Sequence, residues 1–382
     1  MARVIAGNKI ALHHQVAQLI RQRVRTGMYG PGTPLPSVRS LRDEMAVSIN
    51  VVYRAVRQLE EEGLVKTHQG KGMTVTEGGT CETAAIFFGV IHPYARHQPF
   101  HMSVLNYIDQ AFAERSNFCV VRSSDGDAER ERQVAEQLVA NGVKGLLVWP
   151  TAGDPNGRYF GELARRLPVV LVDRLLPEVE LPAVVHDYRD GGSQVVRHLF
   201  GALGCQRLLA IIDDLRISAY EDTHYGLLEA ACDLRRVSNV RVVRWPISEI
   251  IYHIRRGDFG LCDEYTEKAR RFIRAEGYDA VFCTQGTFVD YGLVQSGLID
   301  AFPQLRLTLM GADGDPGSRK YIASRPIEWV YDSGRMVTTA ADLLQRWAIT
   351  RQRPKGVTRL KLTMRVRGVD QTAPRVAGAS ER

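Results

Sequence analysis

From about residue 84 of this 382-residue chain, short apolar runs recur: "AAIFFGVI", "NFCVVRSS", "VKGLLVWP", "LPVVLVDR", "RLLAIIDD", "YDAVFCT" and "LRLTLMGAD". Each is rich in β-branched residues or leucine and ends in polar, Gly or Pro residues. Helix-periodic segments such as "ERERQVAEQLVANG" lie between them. Strand alternating with helix closes only as parallel sheet covered on both faces. About 270 residues of this pattern exceed a single compact core, so two doubly wound lobes are expected.

Charge divides the chain differently. Residues 1–80 carry eleven Lys/Arg against six Asp/Glu, residues 81–350 thirty against thirty-five, and residues 351–382 nine against two. A basic head on an acidic body suits one module that meets a polyanion joined to another that does not. In the basic tail, "RLKLTMRVRGV" alternates Leu360, Leu362, Met364 and Val366 with cations, which predicts one half-buried edge strand. No run approaches the roughly 18 apolar residues of a membrane span, and "MARVIAGNKIALHHQ" does not read as a secretory signal, so a cytoplasmic protein without membrane contact is expected. Cys81, Cys119, Cys205, Cys232, Cys262 and Cys283 show no CxxC spacing, which predicts buried reduced thiols, no metal ligands and no cofactor.

The head has its own logic. Leu12, Val16, Leu19, Ile20 and Val24 form one stripe of a helix reaching about Thr26. Ser37 is placed to cap a second helix containing Val38, Leu41 and Met45. Ser48 is placed to cap a third whose Val52, Ala55, Val56 and Leu59 face inward, with Gly63 closing it. "LVKT", the loop "HQGKG" and "MTVT" then read as a hairpin. Three helices and a hairpin make a winged helix-turn-helix, whose third helix offers its polar face to the DNA major groove. That face carries Asn50, Tyr53, Arg54 and Arg57, with Arg39 on the second helix and His68, Gly70, Lys71 and Gly72 in the wing. Arginine can take a guanine edge and asparagine an adenine edge, while capped helix ends and glycine loops suit phosphate.

The stretch from Leu12 to Val75 resembles the DNA-binding domain of the GntR family of bacterial regulators, through "PSVRSL", "VSINVVYRAVRQLEEEGLV" and "QGKG". The resemblance implies DNA contact by Arg39, Ser48, Asn50, Tyr53, Arg54, His68, Gln69, Gly70, Lys71 and Gly72. Ile49 stands where many members have Arg or Pro, so a base contact made there by arginine in some members is absent.

Ligands of parallel sheets sit at the strands' carboxyl ends. Those ends carry His92, Tyr94, Ser124, Asp125, Trp149, Asp173, Arg174, Asp213, Asp214, Thr284, Gln285, Asp313 and Asp315. Carboxylates, an arginine and aromatic faces converging on a cleft suit a polyhydroxylated molecule. Residues 85–370 resemble the effector-binding domain of the LacI/GalR family, itself similar to periplasmic sugar-binding proteins, through "FFGVI", "LPVVLVDR", "YDAVFCTQ" and "LMGADGD". The resemblance implies effector contact by Asp173, Arg174 and Asp313, with Trp149 and the loop from His92 to Phe100. Relatives commonly have an arginine-rich "SARER" stretch where this chain has "SAYEDTHYG", so Glu221 and Asp222 replace a basic contact.

The expected organisation is a winged head over residues 1–77, a linker over 78–84, a two-lobed periplasmic-binding-protein-like body over 85–370 and a tail over 371–382. The expected activity is sequence-specific DNA binding by a homodimer on a double-stranded operator, as a repressor governed by a sugar-like effector. No catalytic residue is expected, because GxSxG, HExxH and P-loop motifs are absent from the sequence and Lys144 and Lys320 stand in contexts unsuited to a cofactor-binding lysine. An enzyme fused to the same head and a constitutive DNA-binding dimer without an effector are the competing readings.

Overall fold

A computed structural model of the chain describes residues 11–25, 28–68, 72–76, 86–93, 99–312 and 317–367. The linker 78–84 and the tail 371–382 lie outside them, as do Gln69, Gly70, Lys71, Tyr94 and Asp313.

The head consists of α1 (Leu12–Arg25), α2 (Val38–Met45), α3 (Ile49–Glu61), β1 (Val65–His68) and β2 (Gly72–Val75). Both predicted caps form. Ser37 Oγ accepts from the Ser40 amide at 3.1 Å and Ser48 Oγ from the Val51 amide at 3.4 Å, each satisfying a donor that the helix start leaves open. Ala46 adopts the left-handed conformation (φ 51°) that ends α2 and turns the chain toward Ser48. Gly63, at φ +72°, closes α3, and the Leu64 amide reaches back to the Leu59 carbonyl at 3.0 Å. Val16, Ile20, Leu41, Val52, Ala55 and Leu59 are buried in one core under the hairpin, where Val65 pairs with Val75.

The body holds two six-stranded sheets. The first contains β3 (Phe87–His92), β4 (Phe118–Ser123), β5 (Leu146–Val148), β6 (Val169–Val172) and β7 (Ala183–His186). The second contains β8 (Leu208–Asp213), β9 (Val240–Trp245), β10 (Ala280–Cys283), β11 (Arg306–Ala312) and β12 (Ile327–Tyr331). Each runs in parallel, with the order reversing beside its first strand: β4-β3-β5-β6-β7 and β9-β8-β10-β11-β12. That reversal opens a crevice at the strands' carboxyl ends in each lobe. The tail stretch read as one edge strand is two. β13 (Val357–Leu360) pairs in parallel with β7, and β14 (Thr363–Val366) pairs antiparallel with β12 in the other sheet. Leu360 and Leu362 are both buried, so the alternation continues across the break and conceals it from the sequence.

The chain thus passes between lobes three times, around Asp187, Asp332 and Lys361. These crossings are stitched together. The Asp187 amide donates to the Leu360 carbonyl at 2.8 Å, and His186 Nε2 lies 3.2 Å from the Asp332 carbonyl oxygen. The rings of His186, Tyr188 and Tyr331 stand 5.4 to 6.2 Å apart. After the second crossing, helix Ser333–Thr350 returns to the first lobe and buries Met336, Val337, Ala340 and Leu344 in its core.

Helices α4 (Pro99–Ala113), α5 (Ala128–Ala140) and α6 (Gly157–Leu163) belong to the first lobe, and α7 (Tyr188–Arg197) and α8 (Ser218–Asp233) to the second. Close approach of α7 and α8 demands glycine. A Cβ on Gly226 would sit 1.9 Å from the Arg189 carbonyl oxygen, and one on Gly192 would sit 2.4 Å from that of Thr223. The expectation of uniformly buried thiols needs correction: Cys205, Cys262 and Cys283 are buried, but Cys232 is exposed on α8 and Cys119 is half-buried on the edge strand β4. Cys81 lies outside the described residues.

Candidate functional site

The head presents one polar face. Asn50, Tyr53, Arg54 and Arg57 succeed one another at i, i+3, i+4 and i+7 of α3, and all are exposed. Arg54, and Arg39 on α2, form no ion pair among the described residues, so their guanidinium groups are available to an incoming anion. Arg57 lies 3.7 Å from Glu61, but both side chains are largely exposed, and such a pair contributes little. Ser48 is exposed as well as capping. In the wing, His68 is half-buried with its Nε2 3.1 Å from Thr74 Oγ1, and Gly72 holds φ +86°. This is a basic, hydrogen-bonding surface on a helix fixed at both ends.

The cleft differs. Trp149 follows β5 and Asp173 follows β6, and they meet directly: Trp149 Nε1 donates to Asp173 Oδ2 at 3.0 Å. Tyr188, just past the first crossing, donates its hydroxyl to Asp173 Oδ1 at 2.6 Å. Asp173 is 8% exposed and sits at φ +66°, so both oxygens of the carboxylate are engaged by aromatic donors. Arg174, equally buried, donates through Nη1 to the Pro150 carbonyl at 2.7 Å, tying the loop after β5 to that after β6. Ser124 Oγ is 3.1 Å from Thr151 Oγ1, and its amide donates to the His92 carbonyl at 2.8 Å, which joins the ends of β3, β4 and β5.

On the opposite lobe, Asp213 is wholly buried. It accepts from Ser248 Oγ at 2.6 Å and from the Leu215 amide at 3.2 Å, while burial pushes its carboxyl above the usual range. Gln285 donates to the Tyr220 hydroxyl at 2.8 Å. Beside the Tyr188–Asp173 bond, the Gly153 amide donates to the Arg216 carbonyl and the Leu175 amide to Ser218 Oγ, both at 2.8 Å, across the lobes.

Trp149 and Asp173 are thus bonded to each other, with Tyr188 on the second carboxylate oxygen, while Arg174 is bonded separately to the Pro150 carbonyl. Asp125 is exposed and engaged by Arg130 and by Ser123 Oγ at 2.7 Å. Phe100 starts α4. Glu221 and Asp222 are each paired with an arginine. Arg244 from the end of β9 bonds Glu221 at 2.9 Å, and Arg359 of β13 bonds Asp222 at 3.3 Å. Both carboxylates are therefore paired with arginines supplied by other strands. Tyr188 and Arg244 are hidden in the sequence because the four-residue β7 and the arginine-bearing β9 lack the long apolar run that marks the other strands.

Residues 12–75 match the family model described as bacterial regulatory proteins, gntR family. The arabinose metabolism transcriptional repressor of Geobacillus stearothermophilus is 25% identical over 209 residues, 53% of this chain and 57% of that protein. The HTH-type transcriptional regulator PtxS of Pseudomonas plecoglossicida is 37% identical over 120 residues, 31% of this chain and 34% of that protein. The chain therefore spans little more than half of the one and a third of the other. Among solved structures, the Cra transcriptional dual regulator from Pseudomonas putida, in complex with fructose 1-phosphate, shares the fold at TM-score 0.59 and 19% identity, over 74% of this chain and 98% of that one. The chain carries a gntR-family winged helix-turn-helix at residues 12–75, joined to a body with the fold of LacI-type regulators and periplasmic binding proteins.

Proposed function

We propose that this protein is a DNA-binding transcriptional repressor whose grip on its operator is set by a small polar effector, a sugar or sugar derivative, held between the lobes of the body. The observation that carries this reading is the pairing of an uncommitted cationic face on α3 with a two-lobed body crossed three times at one hinge. Paired heads would read a near-palindromic duplex from a homodimer assembled through the body. Effector binding shifts the equilibrium between lobe arrangements by its differential affinity for them, and the heads' spacing follows. Relatives named as an arabinose repressor and a structure named with fructose 1-phosphate favour sugars and sugar phosphates as the first compounds to try.

The test is a thermal-shift screen of the full chain against sugars and sugar phosphates, followed by operator binding with and without any hit. The reading expects one transition to rise with a hit and operator affinity to change with it. Ligand-independent operator binding, with no compound raising the transition, would favour the constitutive dimer. Phosphate contacts also require operator affinity to fall steeply with salt.

A further inference from the structure

His13 and His14 open α1, where their rings lie 4.0 Å apart and are half-exposed. They stand against the middle of α3. His14 Nδ1 is 2.9 Å from Gln58 Oε1, Gln58 Nε2 donates to Glu62 Oε1 at 3.0 Å, and Arg21 binds Glu62 through two nitrogens at 2.7 and 2.8 Å.

This relay fixes the protons. A carboxylate only accepts, so Gln58 must turn its amide nitrogen to Glu62 and its oxygen to His14. That oxygen also only accepts, so His14 Nδ1 carries the hydrogen of this bond. His13 has no such anchor among the described residues. The groups that act on it are the His14 ring on its own helix and the Arg54 guanidinium on α3. Burial first, and then these two charges, hold the His13 imidazolium below its usual range, so the ring is mainly neutral near pH 7 in the free protein.

A duplex docked on Asn50, Tyr53 and Arg54 changes that balance. A phosphate beside Arg54 replaces net repulsion with attraction and favours the charged ring. We propose that His13, backed by His14, is a phosphate contact at the flank of the reading helix that takes up a proton when DNA binds. The inference rests on α3 being the DNA-reading helix. Affinity should then strengthen as pH falls through the interval between the free and DNA-bound proton affinities of His13, and level off on either side.

The experiment measures binding of a random-sequence duplex, several helical turns long, to the full chain by fluorescence anisotropy at low salt across pH 5.5 to 8. Wild type should lose up to about tenfold in affinity per pH unit through the transition, the limit for one linked proton. His13→Gln should flatten the profile at the weaker, high-pH level. His13→Lys should bind tightly at every pH. At low pH, His13→Gln should also reduce the slope of log affinity against log salt by about one. His68→Gln reports the wing histidine and should leave most of the pH dependence in place. A profile unchanged in His13→Gln, or abolished by His68→Gln alone, overturns the proposal. Failure of wild type to bind at any pH, or binding indifferent to Arg54→Ala, overturns the assignment of α3 and this inference with it.

Discussion

The polar face of α3 in the head and the buried strand ends of the body use similar chemistry to opposite ends. On α3 the polar groups project into solvent, and Arg54 is committed to no carboxylate among the described residues. In the cleft, Trp149, Asp173 and Tyr188 satisfy one another, and Arg174 closes on a backbone carbonyl. A surface charge keeps its hydration until a partner arrives, whereas a buried one must be paired within the fold. The contrast predicts where function and stability separate: substitution on α3 should change binding alone, and substitution at the buried strand ends should change both.

The largest effect tests the body's tertiary closeness. Gly226→Ala puts a methyl into the Arg189 backbone, so α7 and α8 must part, and a loss above about 3 kcal/mol is expected. Denaturant titration should show the body unfolding early while the head transition stays in place; a single unshifted transition would contradict the packing. Next comes Asp173→Ala, which leaves two buried donors without their acceptor at about 1–3 kcal/mol each. Asp173→Asn, which can still accept from Trp149 and donate to Tyr188, should recover most of that loss in chemical denaturation. Equal losses in both variants would mean the charge, not the hydrogen bonding, matters.

On the other side of the comparison, Arg54→Ala should weaken operator binding by about 1–3 kcal/mol without moving either unfolding transition. A fall in head stability would show that the face is structural. The smallest effect lies between the two extremes, at Asp154. This residue follows β5 at φ +55°, and burial holds its carboxyl up at about 6 against the pull of Arg174, with Glu131 and Glu178 adding to the rise. The folded protein binds this proton more tightly than the unfolded chain does, so ionisation destabilises. Body stability should decline as pH rises from about 4 through about 6 and then level off. Asp154→Asn should reduce that slope in melting curves, leaving the part owed to the buried Asp213; a steeper slope in the variant would place the carboxyl in a net favourable field.

Most of the head was legible because its determinants are local. Ser37, Ser48 and Gly63 act within four residues along the chain, and apolar spacing assigns the inner face of each helix. In the body, fully buried strands such as β6 and β10 announced themselves as continuous apolar runs. The edge strand β9 did not, because "VRVVRW" mixes arginine with valine where one face meets solvent. β7 has only four residues, and with both strands went the residues at their ends. The hinge was hidden for another reason: alternation of buried and exposed residues runs on from Leu360 to Leu362 while the chain changes sheets.

What the sequence determined by itself is therefore the kind and order of elements, the division of charge between head and body, and the polar stripe of α3. Capping, helical periodicity and like-charge clustering are properties of near neighbours in the chain. Which polar groups remain available to a partner was decided only in three dimensions. The bonds that engage Asp173, Glu221 and Asp222 come from Trp149, Tyr188, Arg244 and Arg359, residues that only folding brings together.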